Sequence, residues 1–170
     1  MVVEKPQKVK APRKISITKL VISIVACEAI GGAGSIFTIG AIPTWYTTIQ
    51  KPSFNPPNWL FGPIWTTLFF LMGVSLYLIW TSTGASRSGR NLAFVTFAVQ
   101  FALNLLWSAL FFGLHQIFFG LVEIIVLWGA IALAISASYR VSRVSASLLL
   151  PYIAWVTIAA LLNYYVWVLN

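Results

Sequence analysis

Five long apolar segments, separated by short polar connections, dominate the pattern of hydrophobic and polar positions along the chain. Each is about 20 residues long or slightly more, which is the length an α-helix needs to cross a hydrocarbon core roughly 30 Å thick. The pattern predicts an all-α integral membrane protein with residues 15–170 as its membrane domain. The expected five-transmembrane-helix bundle has spans near residues 17–40, 59–81, 91–112, 117–138 and 147–168.

The composition points to the same class. Of the 170 residues, 59% are hydrophobic and 8% are charged, and a soluble domain of this size could not bury so much apolar surface. The formal net charge of +8 would suggest nucleic acid on a soluble protein. Here the basic residues lie mostly in the first 14 residues and in the connections, so we expect contact with membrane lipid and no nucleic-acid binding.

Residues 1–14 are polar and basic, and we predict a disordered tail. The alternative is the start of a cleaved signal peptide, but the first apolar run is long and resumes after Gly31–Gly34, which favours a retained span. Basic residues lie in this tail and in the second and fourth connections, while Lys51 alone lies in the first connection. This bias predicts a cytoplasmic N-terminus, with the first connection and the C-terminus on the opposite side.

The first connection and the start of the second span, Ala41–Met72, combine prolines with aromatic residues. Five of the eight prolines fall here, and proline stiffens a loop by fixing φ. A stiff loop presents aromatic rings at low entropic cost, which suits a lid over a flat, apolar ligand. A membrane-interface belt would also collect Trp and Tyr, but it gives no reason for the prolines.

Helical spacing brings polar and aromatic residues of the other spans onto shared faces. Gln100, Asn104, Trp107 and Phe111 lie on one face of the third span, and Trp155, Ala159, Leu162, Asn163 and Val166 lie on one side of the fifth. Depth places Trp65 and Phe69 of the second span, and Phe118, Phe119 and Glu123 of the fourth, in the same half of the membrane. We therefore predict an aromatic cluster beneath the loop.

Ordered motifs in this stretch resemble the signature of the TspO/MBR family of tryptophan-rich sensory and translocator proteins. They are Trp45-Tyr46, Lys51-Pro52, Pro56-Pro57 and the segment Trp59–Trp65. The likeness continues through Gln100–Phe112 and the last span, although Phe101 replaces a usual leucine. The resemblance implies a five-helix bundle, often dimeric, that binds porphyrins, haem and flat drugs under the first loop.

The resemblance also implies site residues. Tyr46, Pro57, Trp65, Asn104, Trp107, Trp155 and Ala159 would line the pocket. To these we add Trp45, Phe69, Phe119 and Asn163 from their predicted positions, and Lys51 as a partner for a propionate. The expected ligand is a tetrapyrrole such as protoporphyrin or haem, with no cofactor required and no metal site. The expected role is transport, sensing or scavenging. The alternative is a light- and oxygen-dependent porphyrin-degrading enzyme with Trp65 and Trp155 as catalytic residues.

The resemblance does not extend to cholesterol binding, because no basic residue follows Leu162 and Tyr164. Small residues four apart, namely Gly31 with Ser35, Ala98 with Ala102, and Ala130, Ala134 and Ser138, favour helix packing within the chain, with a homodimer as the alternative.

Few residues within the spans could carry acid–base chemistry. We interpret Glu28 and Glu123 as protonated carboxyls hydrogen-bonded to a neighbouring helix, with a proton or ion role as the alternative for Glu28. His115 is predicted to be a surface residue and not a haem ligand. The sequence has no Ser-His-Asp set, no HExxH motif and no phosphate-binding loop.

Overall fold

The computed structural model describes residues 15–170, so the predicted disordered tail lies outside the described residues. The chain forms seven helices in this range. They are α1 (Ile17–Ala41), α2 (Trp45–Thr48), α3 (Asn58–Trp80), α4 (Arg87–Ser108), α5 (Ile117–Tyr139), α6 (Arg143–Ser147) and α7 (Leu150–Leu169), and a π-helical turn, Ala109–Gly113, extends α4.

Five of the helical segments are long and apolar enough to cross a membrane: α1, α3, α4 with its π-helical turn, α5, and α7 together with α6. Their mean hydropathy ranges from 1.6 to 2.4 over the most apolar window of each. The prediction of an all-α, five-span membrane protein is confirmed. The fifth span departs from one continuous helix, because α6 and α7 are separate helices and Pro151 stands in the first turn of α7.

Helix α2 and the connection after it cover one end of the bundle, which we call the loop end. The Asn170 side chain joins this connection to the end of α7, accepting a hydrogen bond from the Gln50 backbone N–H (2.9 Å) and donating one to the Gln50 carbonyl (3.0 Å). Rigid prolines and this pair of bonds hold the connection over the bundle.

The opposite end of the bundle, the far end, is tightly packed. A Cβ added to Gly73 of α3 would lie 2.6 Å from the Cα of Ile24 in α1, so only glycine allows this close helix crossing. Ser75 of α3 and Ser145 of α6 share a buried hydroxyl contact of 2.7 Å, and each also donates to the other's carbonyl. The backbones of α1, α3 and α6 are therefore held close together here.

Not every pair of small residues packs inside the bundle. Ala134 and Ser138 of α5 are buried as expected, with exposed fractions of 2% and 0%. Ala98 and Ala102 of α4 are exposed, so the expectation of packing within the chain is wrong for this pair. Their face of the helix is opposite the one that carries Phe97, Gln100 and Phe101 into the core.

The π-helical turn changes which residues face the core. Its wider ring is closed by the Leu114 N–H donating to the Ala109 carbonyl at 2.8 Å. A π-helical turn advances the chain less per residue in angle than an α-helix, so neighbouring side chains can share a face. Phe111 and Phe112 are consequently both buried, at 3% and 7% exposed.

Candidate functional site

A cavity of about 410 Å³ lies between α1, α3, α4 and α7 on the side of the loop end. It falls within the size range of small-molecule sites. Residues from Asn58 to Phe69 on α3 and from Glu28 to Ile42 on and just after α1 run along its length. The full lining is Glu28, Gly31, Gly32, Gly34, Ser35, Thr38, Ile39, Ile42, Asn58, Phe61, Gly62, Trp65, Thr66, Phe69, Asn104, Trp107, Ser108, Phe112, Trp155 and Ala159.

One side of the cavity, the aromatic wall, is formed by Trp65, Phe69, Trp107 and Trp155. The rings of Trp65 and Phe69 are stacked, with centroids 5.7 Å apart and planes inclined by 28°. Phe69 stacks in turn on Phe101 at 6.3 Å, and Trp107 stacks on Phe111 at 5.4 Å. Trp155 meets the Phe61 ring edge-on at 5.9 Å. Each ring of the aromatic wall therefore contacts another aromatic residue, which restricts its orientation.

Hydrogen bonds fix the aromatic wall further. The Trp107 indole Nε1–H donates to Asn163 Oδ1 (3.2 Å), and Asn163 Nδ2 donates to the Ile117 carbonyl (2.9 Å), which ties α4, α5 and α7 together. Asn104 Nδ2 donates to the Tyr152 hydroxyl at 3.1 Å. The Trp155 Nε1–H has no partner among the described residues, although it is buried.

The other side, the small-residue wall, belongs to α1. It comprises Gly31, Gly32, Gly34, Ser35 and Thr38, with Glu28 one turn before Gly31 and Gly32. Helical spacing of three and four residues places this set on one face. A Cβ at Gly31 would overlap the Phe69 ring, whereas a Cβ at Gly32 would meet nothing within 4 Å. The missing side chain of Gly31 therefore makes room for the Phe69 ring, and that of Gly32 leaves part of the cavity open.

Helix α2 covers the loop end through aromatic contacts. Trp45 stacks on the His115 imidazole, with centroids 4.3 Å apart and planes inclined by 12°, and meets Phe111 edge-on at 5.5 Å. The Tyr46 hydroxyl donates to Asn55 Oδ1 at 2.7 Å. Burial raises the pKa of Tyr46 to about 12, so this phenol remains protonated, and able to donate, well above neutral pH.

The structure brings half of the predicted ligand-binding residues to the cavity. Trp65, Phe69, Asn104, Trp107, Trp155 and Ala159 all line it. Tyr46 and Asn163 line a smaller, adjoining pocket of about 20 Å³, which shares Trp107 and Ala159 with the cavity.

The other four predicted residues lie outside the lining. Trp45 is taken up by its contacts with His115 and Phe111, and Pro57 is exposed before the start of α3. The Lys51 ammonium group donates to the Tyr46 and Ile49 carbonyls. Phe119 is 58% exposed, since Gly120 and Glu123 occupy the buried side of α5, and placing it in the aromatic cluster was wrong.

The sequence-based prediction missed the small-residue wall. The sequence pattern indicates helix packing for Gly31 and Ser35, and it assigns none of Gly32, Gly34 and Thr38 to a ligand site. Their common signal is a run of small and hydroxyl residues at helical spacing after Glu28, facing aromatic residues of another span. Such a face can make either a close helix contact or a cavity wall, and α1 makes both.

The intramembrane carboxyls also differ from expectation. Glu123 is 6% exposed, and neither carboxyl oxygen has a hydrogen-bond partner in the part of the chain that the structure describes. The expected bond to a neighbouring helix is therefore not formed. His115 is exposed as predicted. Within residues 15–170, no three His, Cys, Asp or Glu residues come together as a metal site would require.

Comparison with known proteins gives consistent matches along the chain. A family model described as the TspO/MBR family matches residues 23–168. The chain is 49% identical over 156 residues to the tryptophan-rich protein TspO of Archaeoglobus fulgidus, covering 92% of this chain and 99% of that protein. It is 40% identical over 134 residues to the human translocator protein, covering 79% of each chain. It is 34% identical over 138 residues to the tryptophan-rich sensory protein of Cereibacter sphaeroides, covering 79% and 84%. These names describe translocator and sensory proteins and are not enzyme names.

Proposed function

Because the chain belongs to the TspO/MBR family, we propose that it is a membrane receptor or carrier for tetrapyrroles and related flat hydrophobic molecules. The proposed role is transport, sensing or scavenging of such a ligand. The single observation that carries the proposal is the cavity of about 410 Å³, whose lining includes three indole rings and three phenyl rings.

The chemistry of the lining supports a planar ligand. Trp65, Trp107 and Trp155 present large faces and edges whose preferred contacts are offset stacking and edge-to-face packing. The rings are held by their neighbours and by the Trp107–Asn163 hydrogen bond. A wall that is ordered before the ligand arrives loses little side-chain entropy on binding, which favours affinity.

The polar groups of the lining are few and mostly neutral. Asn58, Asn104, Ser35 and Thr38 supply amide and hydroxyl groups along the cavity. No Lys, Arg or His of the described residues lines it. A few polar groups in a largely apolar pocket are typical of sites that orient a hydrophobic ligand, so binding would depend mainly on ring contacts and shape.

The proposal is tested by titrating the protein in lipid nanodiscs with protoporphyrin while tryptophan emission is recorded. We expect saturable quenching at micromolar ligand. Replacing Trp65 and Trp155 together by alanine should weaken binding roughly 30-fold or more, because a buried aromatic contact typically contributes about 2 kcal/mol.

A matched control replaces Trp59 and Trp128 by alanine. Both are exposed, at 70% and 43%, and neither lines the cavity, so this variant should retain the wild-type affinity. Absence of saturable quenching in the wild type, or equal loss in the two double variants, would contradict the proposal.

A further inference from the structure

The cavity carries its only ionisable lining residue, among residues 15–170, at the end away from α2. Glu28 lies on the small-residue wall, and every other lining residue is neutral. It precedes Ile42, which lines the loop end, by 14 residues, or roughly 21 Å along a helix axis. The cavity therefore has its ionisable end near the middle of α1.

Membrane energetics restrict what a carboxyl can do at this depth. Glu28 follows the start of α1 by 11 residues and precedes its end by 13. A carboxylate facing hydrocarbon at the centre of a span is costly, so such groups normally face a cavity or a partner. No hydrogen bond or ion pair from the described residues engages the Glu28 carboxyl. Its carboxyl therefore lines the cavity without a partner among the described residues.

The second intramembrane carboxyl provides a contrast. Glu123 is 6% exposed and sits within the packed core of α5, outside the cavity lining. Glu28 is half-buried and lines the cavity. Of the two, only Glu28 can meet a ligand.

The loop end lacks a matching charge in the lining. Lys51, the basic residue of that end, donates to the Tyr46 and Ile49 carbonyls and lies 4.9 Å from the Tyr46 ring centroid. These contacts hold its ammonium group against the loop. The electrostatic polarity of the cavity is thus set at the Glu28 end.

We propose that Glu28 is a specificity-determining residue, which makes the cavity prefer flat hydrophobic ligands carrying a cationic amine or an N–H donor at one edge. A charge-assisted hydrogen bond in a low-dielectric site is strong. A ligand carboxylate at the same end would find no cationic partner among the described lining residues and is disfavoured. This inference rests on the proposed function, because it concerns the same cavity.

The experiment uses three probes that share one ring system: 9-anthracenemethylamine, 9-methylanthracene and 9-anthracenecarboxylate. Each is titrated against the full-length protein in phosphatidylcholine nanodiscs, with empty nanodiscs subtracted. The wild type should bind the amine about tenfold more tightly than the neutral probe, and the carboxylate more weakly than both. Glu28→Gln should remove the amine preference while the neutral probe keeps its affinity within about twofold.

Two further variants separate charge from structure. Glu28→Asp retains the carboxyl and should keep an amine preference. If Glu28→Gln binds none of the probes, the presence or absence of this preference in Glu28→Asp tests the role of the carboxyl. Glu123→Gln removes the other intramembrane carboxyl and should leave the preference intact. An amine preference that survives Glu28→Gln, or is absent from the wild type or from Glu28→Asp, overturns the role of Glu28. Protoporphyrin binding is measured alongside: if it persists, the proposed function stands without this inference, and if it is absent as well, both fail.

Discussion

The two walls of the cavity are built on opposite physical principles. The aromatic wall fills space with large rings, each held by a second ring or by a hydrogen bond, as Trp107 is by Phe111 and Asn163. The small-residue wall leaves space at Gly32, where a Cβ would meet nothing within 4 Å, and makes room for the Phe69 ring at Gly31. One wall therefore presents ring surfaces to the cavity, while the other leaves part of the cavity open.

The helices that carry the two walls also differ in how much of their surface is buried. Only 17% of the most apolar window of α1 is buried, against 33–39% for the other spans. The Trp107–Asn163–Ile117 bonds link three other helices. Helix α1 is anchored at the far end, where Gly73 meets Ile24. We infer that the aromatic wall is the more rigid side of the cavity, and that the position of α1 determines the size of ligand that the cavity could hold.

The largest expected effect comes from filling the space that α1 leaves. Gly32→Phe should weaken protoporphyrin binding roughly 100-fold or more, equivalent to about 2.7 kcal/mol, because its ring would occupy cavity volume. A Cβ at Gly32 meets nothing within 4 Å, so thermal stability should change by less than about 1 kcal/mol. Fluorescence titration and thermal unfolding in nanodiscs measure the two quantities.

Gly129→Phe is the matched control, since Gly129 of α5 also has open space at its Cβ position but does not line the cavity. It should bind protoporphyrin as the wild type does. Unchanged binding by Gly32→Phe would show that the small-residue wall does not limit the ligand space.

The two walls were also unequally predictable from the sequence. Trp65, Trp107 and Trp155 are large residues on three spans, and their position beside the cavity follows from span depth and from the helical spacing within each span. Glycines in a span signal close approach but not its purpose, because the same missing side chain can admit a helix or a ligand. Gly73 admits the backbone of α1, whereas Gly32 lines open cavity space.

Two features of the structure, a π-helical turn and the hydrogen bonds of Lys51, could not be predicted from the sequence pattern. The π-helical turn Ala109–Gly113 rotates Phe112 inward beside Phe111, and nothing in the local composition distinguishes such a turn from a regular α-helix. The sequence predicts that Lys51 faces a ligand, but the Tyr46 and Ile49 carbonyls engage its ammonium group. Backbone carbonyls of a loop can bind a lysine ammonium group in place of a ligand, and the order of residues does not show which of the two it binds.

A moderate effect is expected from weakening the bonds behind the aromatic wall. Asn163→Ala removes the acceptor of Trp107 Nε1–H and the donor to the Ile117 carbonyl. Intramembrane hydrogen bonds contribute on average about 0.6 kcal/mol and at most about 2, so the variant should lose about 1–2 kcal/mol of stability. Protoporphyrin affinity should fall about threefold to tenfold as Trp107 becomes less constrained.

Thr157→Ala serves as the control on the same helix. It removes the Trp128–Thr157 hydrogen bond of 2.9 Å, which is exposed and outside the cavity. Stability and affinity should both stay near wild type. If the two variants lose affinity equally, the proposed bracing of Trp107 by Asn163 is incorrect.

The smallest expected effect is a difference in stability between variants of Trp107, whose indole N–H has a hydrogen-bond partner, and of Trp155, whose N–H has none among the described residues. Trp107→Phe leaves Asn163 Oδ1 without its donor, whereas Trp155→Phe removes an N–H that has no partner among the described residues. Deleting an unsatisfied buried donor costs little or is slightly favourable, while orphaning a buried acceptor is costly. In ligand-free nanodiscs, Trp155→Phe should therefore be more stable than Trp107→Phe by about 1 kcal/mol. Equal unfolding temperatures would mean that the Trp107–Asn163 bond adds nothing to the aromatic wall, and that stacking alone holds it.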